Sequence, residues 1–532
     1  MKESAFKKPL LIIIGISALV RAFLAASLEL GNDEVYYWSY AMYPDLSHFD
    51  HPPMIGWLIQ LFTVNLNLNS ELFIRLCSIV IGSANTWIIY IIGRRIKDEA
   101  AGFYASILYT TSIYCSIILG TFILPDTPQS IFFLLSIYFL HEALFKKYGE
   151  CPESRALCNF AIILAGLFIG MAMLSKYSAA FLWVGAGLYI LFFDRKRLKD
   201  PFLYLAIIVS ALFLLPILIW NLNNNFISFT FHGNRVSFFG EGFNIVSFGR
   251  EIIGNFLYNN PVNVVIIISA LIAYSKVKFL EKRQFMLLAL VSFPIILCFL
   301  FFSMFRDTLP HWSAPGYYGL MIIAGAWLSE KYKSRNIGTS IPAPLKRAIW
   351  LITVVVTVGF IHIHTGILNF EVKQKSDLPL GKYDFTLDMY GWETLSKEFN
   401  KVREYDVNHG IMNRHSAIVS YKWFPAAHLD YYVARPAKSV VKTIGPLSDT
   451  HKYAWITKDI GGFKIGESMY YLKSSKERFD GVKEIGERYF KSTELAKTVY
   501  IFRMGKPAER YEIFRFREMT TLPDSTLTSP SF

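Results

Sequence analysis

The sequence predicts an all-α polytopic membrane protein of about eleven spanning helices, followed by a small α/β domain outside the membrane. Three observations predict it. The 532 residues are 53% hydrophobic and only 18% charged, against about 25% charged in soluble proteins. Long apolar runs recur from the N-terminus to residue 368. Basic residues gather in alternate loops between those runs, which is the pattern that orients a multi-pass chain. The same loops account for the net charge of +13, so the basic balance does not point to nucleic acid.

The apolar runs lie near 10–30, 72–92, 100–120, 130–145, 159–174, 178–193, 202–220, 258–275, 285–305, 313–329 and 348–368. A span takes about 20 residues, so the runs at 130–145 and 159–174 are short. Lys2, Lys7 and Lys8 precede the first run, and Arg94, Arg95 and Lys97 follow the second. Lys146 and Lys147 follow the fourth; Arg195, Lys196, Arg197 and Lys199 follow the sixth. Lys276, Lys278, Lys282 and Arg283 follow the eighth; Lys331, Lys333, Arg335, Lys346 and Arg347 follow the tenth. Simple alternation puts every cluster on one side. The N-terminus is then cytoplasmic and the region after the last span is external. The first run lacks a small-residue cleavage site and reads as a retained span.

Residues 1–368 form the predicted membrane region. Its first external loop, 31–71, is broken by Pro44, Pro52 and Pro53 and suits short helices on the membrane surface. From residue 369 to about 520 the composition becomes that of a soluble domain. There Trp392–Tyr405 reads as an amphipathic helix, and Ala417–Tyr421, Tyr453–Thr457, Ser468–Leu472 and Thr498–Arg503 read as strands. Residues 521–532 are rich in Ser, Thr and Pro and are expected to be disordered. Cys77, Cys115, Cys151, Cys158 and Cys298 make no disulfide framework and no CxxC, and read as small buried hydrophobes or free thiols.

The chemistry concentrates just after the first run. Asp33, Glu34, Asp45 and Asp50 lie among aromatic residues, and no Lys or Arg occurs between Arg21 and Arg75. Carboxylates at a membrane edge without basic neighbours are costly to hold, which marks them for chemistry. Two readings of Asp33-Glu34 stand side by side: a helix start, with Asn32 or Asp33 as N-cap, or a general base whose pKa is raised in a partly desolvated cleft. Asp50-His51-Pro52-Pro53 adds a carboxylate and an imidazole on a rigid chain, or else a turn opening a helix at Met54. Asp126, Lys176-Tyr177, Trp220-Asn221, His232, Arg235, Arg306 and His311 each have an ordinary reading as cap, snorkelling cation or interfacial belt residue. Together they come from different hairpins and all map to the external face. Such a set suits a substrate with an anionic head and a lipid tail. No GxxxxGK[ST] and no GxGxxG in a strand–helix context occurs, so a nucleotide-activated donor is not the reading.

These motifs resemble the GT-C superfamily of integral-membrane glycosyltransferases. The resemblance is to the bacterial branch related to protein O-mannosyltransferases, to the lipid A aminoarabinose transferase and to lipopolysaccharide-core galacturonosyltransferases. It rests on Asn32-Asp33-Glu34-Val35-Tyr36-Tyr37-Trp38, Phe49-Asp50-His51-Pro52-Pro53, Leu124-Pro125-Asp126-Thr127-Pro128, Leu174-Ser175-Lys176-Tyr177, Trp220-Asn221 and Pro310-His311-Trp312. It implies a GT-C fold and an undecaprenyl-phosphate-type sugar donor. It also implies inverting transfer on the periplasmic side of a bacterial inner membrane. Asp33 matches the catalytic carboxylate of the first loop, with Glu34 and Asp50 close by. Lys176 is the leading candidate for the leaving phosphate, followed by Arg235 and Arg306, and His51, Asp126, Tyr177, Asn221 and His311 complete the substrate-binding set. Some relatives hold a divalent metal. Asp50, His51, His232 and His311 could supply ligands, but no tight ligand spacing supports one, and metal stays unassigned. The acceptor implied is lipid A or another lipopolysaccharide hydroxyl. A protein acceptor, and a lipid-linked sugar flippase, are the alternatives.

Overall fold

The structure is a computed structural model that describes residues 5–145, 152–236, 242–333, 339–368, 380–524 and 527. In chain order its longer helices are α1 Lys7–Ser27, α2 Asn32–Met42, α3 Met54–Phe62, α4 Glu71–Ile96, α5 Glu99–Thr111, α6 Asp126–Phe145, α7 Pro152–Ser175, α8 Phe181–Phe193, α9 Pro201–Leu212, α10 Leu215–Asn223, α11 Ile227–Val236, α12 Ile245–Tyr258, α13 Pro261–Lys276, α14 Lys282–Ser303, α15 Tyr317–Lys333, α16 Ala343–Thr365 and α17 Trp392–Asn408. The chain divides into two compact units. The membrane unit comprises Met1–Ala26 and Pro44–Val355, and the second unit comprises Ser27–Tyr43 and Val356–Phe532.

Among the described residues, six helices are long and apolar enough to cross a membrane: α1, α4, α6, α7, α14 and α16. Two bent pairs, α9–α10 at 42° and α12–α13 at 96°, bring the number to eight. The bends follow from the sequence. Pro216 at the start of α10 lacks the N–H that would bond back into α9, and a proline also disfavours helical backbone in the residue before it. Asn260 takes φ +65° and caps Val262 beside Pro261, which ends one helix and starts the next. The three remaining runs, at 100–120, 178–193 and 313–329, fold around α5, α8 and α15, which are 13, 13 and 17 residues long. Each of the eleven apolar runs therefore holds helix, three of them in shorter pieces. The run at 100–120 is interrupted by a π-turn at Tyr114–Ile118.

Lipid tails are as apolar as leucine, so these helices hold together by close packing rather than by water exclusion. Glycines provide the approach. A Cβ on Gly93 would lie 2.7 Å from Gly102 Cα, and one on Gly166 would lie 2.2 Å from the Ala206 carbonyl oxygen. Gly82 and Gly120 leave room for Arg21, whose side chain is buried within α1: a Cβ on Gly82 would meet its Nη1 at 2.6 Å.

The second unit carries five strands: β1 Ile418–Ser420, β2 Val441–Thr443, β3 Met469–Ser474, β4 Phe490–Arg503 and β5 Lys506–Met519. Their order is β2-β1-β3-β5-β4. β1 runs parallel to β2 and β3, while β3–β5 and β5–β4 are antiparallel. Met504 and Gly505 join β4 to β5, both with positive φ, as a two-residue hairpin turn with the twist of its strands requires. The strands expected around 417–421, 468–472 and 498–503 are present. The strand expected at Tyr453–Thr457 is a helix, Tyr453–Asp459, because so short a run, with four aromatic or β-branched residues and Ala454 among them, does not fix a period of two against a period of 3.6. β2 and β5 escape the sequence: β2 has three residues, and the charges of β5 mask its alternation. Cys77, Cys115, Cys158 and Cys298 are free thiols. Cys151 and most of the tail after 524 lie outside the described residues.

The glycine contacts carry a test. Gly166→Ala pushes a methyl group into the backbone of α9, and overpacking of this kind costs about 1–3 kcal/mol. Thermal unfolding in detergent should show a lowered midpoint for Gly166→Ala and an unchanged one for Gly187→Ala, where a Cβ meets nothing within 4 Å.

Candidate functional site

In the membrane unit the site begins with an ion pair. Asp126 opens α6 and Lys176 follows α7. The Lys176 ammonium donates to both carboxylate oxygens of Asp126, at 2.9 and 2.8 Å, and the Tyr114 hydroxyl donates to the same carboxylate at 2.8 Å. Asp126 is 1% exposed and Lys176 8%. The Pro-Asp-Thr-Pro turn makes this local geometry. Prolines at 125 and 128 sit where a starting helix needs no N–H donors. Thr127 Oγ1 donates to the Leu119 carbonyl at 2.9 Å and lies 3.3 Å from Ser78 Oγ, and Gln129 reaches across to Ser178 Oγ at 2.9 Å.

Two imidazoles face this pair. His51 lies within electrostatic reach of Asp50, Lys176, His232 and Asp126, and burial pushes it down to about 3, with Lys176 and His232 adding to the shift and the two carboxylates opposing it. His311, in the turn Pro310–Trp312, is pushed down to about 4, first by burial and then by Lys176. Both rings are therefore neutral at physiological pH and can both donate and accept hydrogen bonds. His232 lies 2.8 Å through Nε2 from the Asp50 carbonyl oxygen, with its ring 5.3 Å from that of Tyr177 and 6.4 Å from that of His51. Asp50, His51, Asp126, Lys176, Tyr177 and His311 thus come together at one end of the membrane unit.

Other predicted residues have scaffolding contacts. Asn221 donates to the Ile217 carbonyl at 3.0 Å and accepts from the Ser228 N–H at 3.2 Å; Ser228 Oγ in turn reaches the His48 carbonyl at 3.3 Å. Asn221 thereby fixes the loop before the Asp50-His51 segment, and its neighbour Trp220 donates to Asp45 at 2.7 Å. Arg306 lies in the loop between α14 and α15, its carbonyl accepting from Ser247 Oγ at 2.7 Å. The Arg235 side chain lies outside the described residues.

Glu251 is the residue that the sequence did not reveal. Fully buried in α12, it accepts from Thr308 Oγ1 at 2.8 Å, Ser313 Oγ at 3.0 Å and Asn255 Nδ2 at 2.9 Å. Thr308 and Ser313 bracket His311, so this carboxylate holds the His311 loop closed. The available signal was an acid and an amide at i and i+4 on one face of the helix Ile245–Tyr258. Among the described residues no group of three or more His, Cys, Asp or Glu is arranged to hold a metal ion, and no metal is assigned a role.

Asp33 and Glu34 belong to the second unit. Gly31 is the N-cap of α2, in place of Asn32 or Asp33, and Glu34 reaches back to accept the Gly31 N–H at 2.9 Å. Glu34 is buried while Asp33 is exposed, so the two adjacent acids differ in kind: Glu34 closes a helix end and Asp33 faces outward. The segment around them is gripped by the C-terminal domain. Glu29 caps α17 through the N–H groups of Trp392 at 3.0 Å and Glu393 at 2.8 Å. Tyr432 Oη accepts the Leu30 N–H at 2.6 Å, and His428 Nε2 lies 2.9 Å from the Leu30 carbonyl oxygen. Asn32 donates to Asp388 at 2.6 Å, and Asp388 pairs with Lys476 at 3.3 Å. Burial pushes His428 down to about 3 and raises Asp388, with Lys476 opposing the second shift.

Residues 50–220 match the family model described as dolichyl-phosphate-mannose-protein mannosyltransferase. A lipid A galacturonosyltransferase, RgtD of Rhizobium johnstonii, is 27% identical over 197 residues, which is 36% of this chain and 38% of that protein. The chain therefore aligns with well under half of that relative. Over nearly its whole length the fold matches ArnT from Cupriavidus metallidurans. In the apo state the TM-score is 0.62 at 13% identity, covering 99% of this chain and 100% of that one. In the state bound to undecaprenyl phosphate it is 0.64 at 14% identity, covering 95% and 97%. The chain thus carries a segment similar to that mannosyltransferase family and has the fold of ArnT. The matched segment 50–220 contains Asp50, His51, Asp126, Lys176 and Tyr177, and the ArnT-like fold extends through the C-terminal sheet.

Two tests follow for this site. Lys176→Met leaves Asp126 buried without its cation, which should cost about 3–5 kcal/mol. The double variant Asp126→Leu/Lys176→Met should recover much of that loss in a double-mutant cycle of unfolding midpoints. His51 and His311 have folded pKa values below the ordinary imidazole value of about 6.5. Their contribution to stability is complete above that value and is lost as pH falls through it toward 4 and 3, because the unfolded chain binds the protons. The unfolding midpoint should fall between about pH 7 and pH 5, and it should fall less in the His51→Gln/His311→Gln double variant.

Proposed function

We propose that this protein transfers a sugar from a polyprenyl-phosphate carrier to a hydroxyl of lipid A or lipopolysaccharide, with inversion, on the periplasmic face of a bacterial inner membrane. One observation carries the reading: the chemistry-bearing residues of the matched segment, from Asp50 to Tyr177, gather around one buried ion pair and two neutral imidazoles. The relatives support its direction. RgtD is named for a lipid A acceptor, and ArnT takes undecaprenyl phosphate.

In this reading Asp33 is the base. It is the exposed acid of its pair, whereas Glu34 is committed to the cap of α2. Asp33 accepts the proton of the acceptor hydroxyl as its oxygen bonds to the sugar anomeric carbon. The bond from that carbon to the lipid phosphate breaks, and the phosphate leaves with the electron pair. Lys176, held in orientation by Asp126, and Arg306 and Arg235 supply positive charge to the leaving phosphate; His51 and His311 offer neutral donors to its oxygens. One displacement with one base inverts the anomeric centre. Asp50 and Tyr177 line the donor side, and Asn221 keeps the loop before Asp50 in register.

Because the family description names protein mannosylation, a protein hydroxyl is the second reading of the acceptor. Mass spectrometry of lipid A, core oligosaccharide and periplasmic glycoproteins from cells with and without the gene decides between them. Loss of a hexose or pentose from lipid A or core is the expected result, and its loss from proteins alone overturns the acceptor assignment. Asp33→Asn should reduce transfer at least a thousandfold with the protein still inserted in the membrane. Near-full transfer by Asp33→Asn would sink the assignment of the base.

A further inference from the structure

The second unit presents an apolar surface whose position next to a membrane span gives it an occupant. Met504 at the tip of the β4–β5 hairpin is 77% exposed, Phe502 53%, Phe385 69% and Ile367 68%. Polar contacts tie these segments to the end of α16, the last helix long enough to span. Arg503, between Phe502 and Met504, pairs with Asp384 at 2.6 Å, and His362 near the end of α16 lies 3.7 Å from the same carboxylate. A Cβ on Gly366, the residue just past α16, would lie 3.5 Å from Arg503 Cδ. Tyr390 Oη donates to the Phe502 carbonyl at 3.1 Å and its ring lies under the Arg503 guanidinium at 4.6 Å.

The buried, paired face of the hairpin tip is therefore fastened to the end of a span, and the alternate residues, Phe502 and Met504, project the other way. The polar headgroup zone on each side of a bilayer is about 5–7 Å thick. A strand whose Arg503 packs against the residue following a span lies at that level. Aromatic residues and lysines are the ordinary composition of this zone, and Lys382, whose ammonium lies over Tyr383 at 5.3 Å, and exposed Lys506 flank the apolar side chains. Four large apolar side chains left in water here would be an exposed patch of the kind that marks an interaction site.

We propose that the β4–β5 hairpin tip, with Phe385 and Ile367, docks into the lipid headgroup zone at the end of α16. The contact anchors the second unit at a fixed height on the bilayer. Since α2 belongs to that unit, the anchor also sets the height of Asp33 above the lipid. The docking itself does not depend on the proposed reaction.

The test uses the full chain, its native cysteines replaced, in nanodiscs of phosphatidylethanolamine and phosphatidylglycerol. A bimane label is placed at Met504→Cys, at Phe385→Cys or at Ile465→Cys. Ile465 is 60% exposed beside Gly466, whose N–H bonds to Met519 at the open end of the hairpin. Fourteen residues of β5 put it about 40 Å from the tip. Nitroxide lipid labelled near the headgroup should quench positions 504 and 385 at least twofold more than 465. Equal quenching at the three positions overturns the proposal. So does a 504 label shielded from lipid together with a 504–504 disulfide formed between two chains of the unlabelled Met504→Cys variant on air oxidation, which would assign the β4 edge to a second copy instead.

Discussion

An ammonium and a carboxylate withdrawn from water at the ends of two spans can persist only together, and the Asp126–Lys176 contact meets that condition with two hydrogen bonds from one amine. Much of this end of the membrane unit is arranged about it. Tyr114 closes the carboxylate, the π-turn that carries Tyr114 interrupts the third apolar run, and His51 and His311 lose their protons partly because Lys176 is near. The pair is thus both a structural lock between α6 and α7 and the source of the local field in which the two imidazoles sit.

A second constraint acts on the segment Ser27–Tyr43. It is joined in sequence to the first span, yet it folds with the C-terminal domain. Its polar groups explain why. Where α1 gives way to α2, the groups around Glu29, Leu30 and Asn32 are met by Tyr432, His428, the N-terminus of α17 and Asp388. Buried polar groups must find partners, and here they come from residues some 360 to 400 positions away. The C-terminal domain is therefore part of the support of Asp33, which gives it a structural role in any reaction that uses this acid. Tyr36 and Trp38 follow the same logic, packing on Trp423 at 4.8 Å and Tyr431 at 5.0 Å.

The legibility of the chain was uneven for identifiable reasons. Spans are read from local composition, and each of the eleven apolar runs holds helix; what local composition could not show is that α5, α8 and α15 stop short, because their length is set by turns and by burial among neighbours. The site residues at 50–51, 126, 176–177 and 311 were found as departures from apolar sequence at span ends, and the structure gathers them. Glu251 was passed over because its partners, Thr308 and Ser313, lie about sixty residues away and carry no charge. Glu34 reads as an acid close to the catalytic position or in the first turn of a helix; only the Gly31 N–H decides that it is a cap.

The sequence by itself determined that the chain is a multi-pass membrane protein, which ionisable residues interrupt the apolar pattern at the span ends, and that these resemble the motifs of one superfamily. Those properties depend on hydropathy and residue identity, both of which are local. Tertiary structure alone decided that Lys176 is paired with Asp126, that His51 and His311 are neutral, and that the Asp33 segment folds with residues from beyond 355. Each of these is a matter of which groups lose water together, and desolvation is a property of neighbours in space that no stretch of sequence carries on its own.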